Sequence, residues 1–93
     1  METVYYISLN FISPVGLETF GKFNLGADSK IATEIFGKLK GDDQVSETTK
    51  LTMDLTEEAD AIPLTLALIH CTLEELSMNT KTITKELFKL LHL

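Results

Sequence analysis

Three features of this 93-residue sequence predict an α+β fold, a two-layer sandwich with two helices on one face of a mainly antiparallel four-stranded sheet. An aromatic and β-branched run lies near the N-terminus and ends in a turn signal. A short amphipathic stretch follows and carries its own start and stop residues. The same succession of strand, turn, strand and helix then recurs in the second half. The order is ββαββα; if residues 17–25 do not form a strand, the alternative is βαββα with three strands. The length sets one small domain, residues 1–93.

Residues 3–12, TVYYISLNFI, read as the first strand. One face carries Tyr5, Ile7, Leu9 and Phe11, and the other Val4, Tyr6, Ser8, Asn10 and Ile12. Ser13-Pro14-Val15-Gly16 supplies a turn. LETFGKFNL alternates weakly enough for a hairpin partner, although Gly21 sits in its middle. Asp28 or Ser29 caps the first helix, whose Ile31, Ala32, Ile35, Phe36 and Leu39 share one arc. Glu34 and Lys38 form an expected i,i+4 pair, and Gly41 is the expected C-terminal stop.

After the acidic loop GDDQVSET, a third strand points Leu51, Met53 and Leu55 inward. A turn near Glu58-Ala59-Asp60-Ala61 leads into IPLTLALIHC, which is apolar on both faces and is therefore expected at a central position. Its Leu64, Leu66 and Leu68 are assigned to the core, and Ala67 and Ile69 to the opposite face. Thr72-Leu73-Glu74-Glu75 is a capping box that opens the second helix. Leu73, Leu76, Thr80, Ile83, Leu87, Leu90 and Leu91 form its apolar arc, with Lys81, Lys85, Lys89 and His92 opposite.

Composition narrows function. The net charge is −6 and all eight basic residues are lysines, so the chain lacks both the field and the arginine forks that favour nucleic acid. Between Asp42 and Asp60 seven acids face Lys50 alone, and this stretch carries the whole net charge. No run approaches the ~18 apolar residues of a membrane helix. Met1-Glu2-Thr3 is not a basic leader, and the single cysteine excludes a disulfide framework, so a cytoplasmic setting is expected.

Residues 16–23, GLETFGKF, come within one letter of the phosphate-loop pattern G-x-x-x-x-G-K-[ST]. The missing letter is the hydroxyl that holds magnesium, replaced by Phe23, and no helix starts behind Lys22. The match is a coincidence. His70 and Cys71 are adjacent, and neighbours on a strand point to opposite faces, so they make a poor catalytic dyad. His70 and His92 lack the further ligands zinc needs, and the acidic segment does not follow the calcium-loop spacing.

The sheet face opposite the helices is the most suggestive surface. It is expected to present Tyr6, Ser8, Asn10, Ile12, Thr52, Asp54, Thr56 and Ile69, partly apolar and partly hydrogen-bonding. Self-association through this face or an edge strand is the leading expectation, with another protein as the alternative partner. The expected role is a non-enzymatic interaction or structural module acting as a homodimer, without cofactor or metal, nucleic acid or membrane. The competing class is a small-molecule-binding domain or minor enzyme on the same face, with Cys71 as its one candidate nucleophile.

Overall fold

The computed structural model describes residues 2–47 and 49–92. Met1, Thr48 and Leu93 belong to the expected domain, and Thr48 to the expected acidic loop; these three lie outside the described residues. The elements are β1 (Thr3–Ser13), β2 (Gly16–Gly26), α1 (Ser29–Gly37), β3 (Leu51–Ala59), β4 (Ile62–Cys71) and α2 (Leu73–Leu90). All strand pairs are antiparallel, in the order β2-β1-β3-β4. The fold is therefore α+β with the ββαββα order, and β2 is a strand in spite of Gly21. A Cβ placed on Gly21 would meet Leu9 side-chain atoms at ordinary contact distance, 3.6 Å and beyond, so the position tolerates extended pairing without requiring glycine.

Each hairpin brings one central strand, β1 or β3, and β1 pairs with β3 in an unbroken register from Thr3↔Ala59 to Phe11↔Leu51. One face of that pair places Ile7 opposite Leu55 and Leu9 opposite Met53. These four are buried, and with Ala32, Ile35 and Phe36 of α1 and Leu76 and Ile83 of α2 they form the core. Both helices begin where the sequence indicates. The Asp28 carboxylate accepts from the Lys30 and Ile31 amides, and Thr72 and Glu75 exchange the two bonds of a capping box.

Four expectations are corrected. First, β4 lies at the sheet edge and not at its centre. Its apolar residues on both faces suggested cover on both sides, but Ile62, Leu64, Leu66 and Leu68 remain exposed. Second, the inward residues of β4 are Cys71, Ile69 and Ala67, opposite Leu51, Met53 and Leu55. Leu68 opposes Asp54 on the helix-free face. A bulge between Ala67 and Thr65 leaves Leu66 unpaired and shifts the alternation, which a simple period of two does not anticipate.

Third, α1 ends at Gly37, earlier than Gly41 would set. Gly41 serves another purpose: a Cβ there would fall 2.9 Å from Ile69 Cβ and 3.0 Å from the His70 carbonyl oxygen. The chain passes so close to β4 that only glycine fits without displacement, and Asp42 then exchanges two backbone hydrogen bonds with His70, of 2.7 and 2.8 Å. Fourth, Lys38 pairs with Glu86 of α2 at 2.6 Å in place of Glu34. Lys89 closes on the same carboxylate at 3.0 Å, and the two lysines hold the Glu86 carboxyl below its usual range.

The β3–β4 hairpin turns on Asp60 and Ala61, with φ of 53° and 64°. Such a left-handed pair suits the twist of a two-residue hairpin, yet it costs about 1–2 kcal/mol for a residue bearing a Cβ. Replacing Ala61 by glycine removes that strain while adding some unfolded-state freedom. The Ala61→Gly variant is expected to gain about 0.5–1 kcal/mol in urea unfolding, with unchanged m-value. A loss of stability would show that the turn does not carry this strain.

Candidate functional site

The helix-free face is polar by sequence and almost closed in structure. Ser8, Asn10, Thr52, Asp54 and Thr56 are all buried, with Asn10 and Thr52 each only 1% exposed. No helix among the described residues covers them. They lie on the two central strands, between longer side chains from the flanking ones: Lys22 and Thr19 of β2 stand opposite Ser8 and Asn10, and Leu68 and His70 of β4 opposite Asp54 and Thr52.

Buried polar groups must find partners, and Asn10, Thr52, Asp54 and Thr56 find one another. Asn10 Nδ2 donates to Asp54 Oδ2 at 2.8 Å and to Thr52 Oγ1 at 3.1 Å. Thr56 Oγ1 donates to Asp54 Oδ1 at 2.7 Å, and Thr19 Oγ1 donates to Asn10 Oδ1. Lys22 Nζ sits 3.8 Å from the centre of the Tyr6 ring, a cation–π contact at the rim. Burial above all, and then the charges of Glu58 and Asp54, hold the Tyr6 phenol above its usual pKa. A surface hollow opens at the Ile12 end of this face, among Ile12, Pro14, Val45 and Lys50.

Of the eight residues expected to form an interface, five are therefore engaged in or beside this closed ladder. Tyr6 is half-buried and Ile12 is exposed at the end of the strand. Ile69 is corrected: it opposes Met53 and packs on the core under the helices, because the β4 bulge exchanges the faces assumed for it and Leu68.

Cys71 lies beneath α2 with no exposed surface. Its thiol donates to the Lys40 carbonyl at 3.5 Å and accepts from Asn79 Nδ2 at 3.6 Å. Burial, reinforced by the charge of Glu75, pushes the thiol up to about 11, the reverse of what a nucleophile needs. His70 is the next residue and faces away, opposite Thr52. Its Nδ1 is buried without a hydrogen-bond partner among the described residues. No three His, Cys, Asp or Glu side chains among the described residues are grouped to hold a metal ion.

Sequence reasoning passed over Asn79, the polar residue that organises the interior. It is 1% exposed. Its Oδ1 accepts from the Lys40 amide at 2.8 Å and its Nδ2 donates to the Lys40 carbonyl at 2.8 Å, so α2 grips the chain just beyond α1 as a neighbouring strand would. The apolar arc assigned to α2 placed Thr80 there; the signal for Asn79 was its position three residues after Leu76 and four before Ile83. Leu73, Leu90 and Leu91, expected on that arc, are exposed.

What remains is the edge. Ile62, Leu64, Leu66 and Leu68 are 70, 57, 45 and 38% exposed along one strand, and β4 contains no Asp, Glu, Lys or Arg. Ile62 and Leu64 oppose Ala59 and Glu57 on the helix-bearing side, where neither helix reaches over them. No helix among the described residues is long and apolar enough to cross a membrane. Comparison with protein-family models, with curated proteins and with solved structures yields no match.

Two outcomes are expected. Asn79→Leu removes the partner of the Lys40 amide and leaves its carbonyl only the weak Cys71 thiol donor, and should cost about 1–3 kcal/mol in chemical unfolding. A cost below 0.5 kcal/mol would mean water replaces the clamp. Cys71 should react with a thiol reagent at pH 8 roughly a hundred-fold more slowly than in denaturant, since a rise from 9.0 to about 11 lowers the thiolate fraction by that factor. The rate should climb as pH rises toward 11. Equal rates in the folded and unfolded chain would restore Cys71 as a nucleophile.

Proposed function

We propose that this chain is a non-enzymatic protein-interaction module that acts as a homodimer. The observation that carries this reading is the uncharged row Ile62, Leu64, Leu66 and Leu68, left in contact with water on the edge of an otherwise acidic fold. Contiguous exposed apolar side chains are costly to keep wet and usually mark a contact surface. Two acidic copies repel one another elsewhere, but meet no like charge along this strand. The single cysteine, reduced and buried, suits a cytoplasmic setting.

The small-molecule reading has one observation in its favour, the convergence of Tyr6, Lys22, Asn10 and Asp54 on one face. Against it, Asn10 and Asp54 already satisfy each other, and a ligand would have to replace those bonds with equal ones. Cys71 lies beneath the other face and offers such a ligand no nucleophile.

The test is native mass spectrometry with light scattering over micromolar to millimolar chain. The expected result is a dimer without adduct, and Leu66→Asp should shift it to monomer with little change in unfolding, because Leu66 is exposed and unpaired in the sheet. A chain that stays monomeric throughout, or that retains a small-molecule mass, overturns the proposal.

A further inference from the structure

The acidic tip of the β3–β4 hairpin, we infer, docks in a lysine-rimmed hollow on α2 of a second copy, and the twofold partner returns the same contact. The inference rests on the homodimer reading above and names where opposite charges meet. The hollow, of about 420 Å³, is lined by Thr80, Lys81, Thr84, Lys85 and Phe88. Thr80 Oγ1 donates to the Ser77 carbonyl and Thr84 Oγ1 to the Thr80 carbonyl, both at 2.8 Å, so these hydroxyls are turned to their own helix. With the exposed Phe88 ring they leave the floor apolar. The rim is cationic and uncompensated. No acid lies three or four residues from Lys81 or Lys85, and the ion pairs among the described residues go to Lys38 and Lys89. Like charges one turn apart weaken a helix, and a carboxylate brought between them relieves the repulsion.

Two lysines around an apolar floor select an apolar side chain flanked by carboxylates. This chain carries such a group. Ile62 is exposed, Asp60 stands two residues before it on the tight turn, and Glu57 shares its face of the hairpin. The copies repel in sum, yet at this place their charges are opposite. Hollow and tip also look out on the same side, as a twofold contact requires. Glu86 meets Lys38 beyond the end of α1, and Phe88 lies two residues further, about 200° around the helix. It therefore faces away from α1, past β4 at the sheet edge. The opposite charges supply the selection that the apolar row alone lacks, and Ile62 is the end of that row which they cover.

Light scattering on the whole chain over a range of concentrations tests the contact. Raising NaCl from about 0.05 to 0.5 M is expected to weaken association roughly ten-fold, because the pairs lie at the surface. Lys85→Glu and Asp60→Lys should each weaken it by about ten-fold or more, and joined in one chain should restore it to within about three-fold of wild type. Lys85→Gln and Asp60→Asn keep the helix and the left-handed turn, and should each weaken it about three-fold. A wild-type dimer indifferent to salt and to these variants would overturn the inference and leave the homodimer reading standing. Absence of any wild-type dimer would remove both. A monomer that still binds the synthetic peptide EEADAI would give the hollow to a foreign acidic partner, and would likewise remove both.

Discussion

The pairing of β1 with β3 is the constraint on which everything else in this molecule depends. Each strand belongs to a different half of the chain, and each half contributes a hairpin and a helix. Only this pairing joins the halves into one sheet, and its register decides which side chains the helices cover. Because alternation has a period of two, a slip by one residue would carry one strand's apolar set, Ile7 and Leu9 or Met53 and Leu55, to the bare face and its Asn10 or Asp54 under the helices. The two faces enforce the register by different means. On one, apolar side chains must reach the helices; on the other, Asn10 must reach Thr52 and Asp54 across the strands. The polar bonds are directional, so a slipped register would leave buried donors and acceptors unmatched.

Much of this was legible in the sequence because its signals are local. Strand β1 with its Ser-Pro-Val-Gly turn, both N-terminal caps and the inward Leu51, Met53 and Leu55 all follow from residues close together in the chain. Position in the sheet is not local. An apolar strand reads the same whether it is central and doubly covered or at an edge with its leucines in water, and β4 is the latter. The bulge at Leu66 compounded this, because one extra residue exchanges the faces of everything beyond it.

The candidate site was legible only in part, for a related reason. Alternation alone places Ser8, Asn10, Thr52, Asp54 and Thr56 on the helix-free face, with Tyr6 at the rim and Ile12 exposed beyond it. That they would close on one another depends on neighbours from β2 and β4 brought up by pairing. Asn79 escaped notice because an asparagine among helical leucines carries no mark of its partner, which is the backbone of Lys40, thirty-nine residues away. Gly41 likewise resembles a helix stop in sequence, while the demand on it comes from Ile69 across the fold.

The irregular edges also set a limit on growth. On the outer strand of the first hairpin, β2, Leu25 and Phe20 are each skipped in the pairing with β1, so that edge is bent much as β4 is. A flat, regular edge at either side would let copies stack without end into fibres. Both edges are kinked, although both expose apolar side chains, Leu17 and Phe20 on β2 and Ile62, Leu64, Leu66 and Leu68 on β4. The bends at both edges therefore break the even spacing of free donors and acceptors that end-to-end strand addition would need.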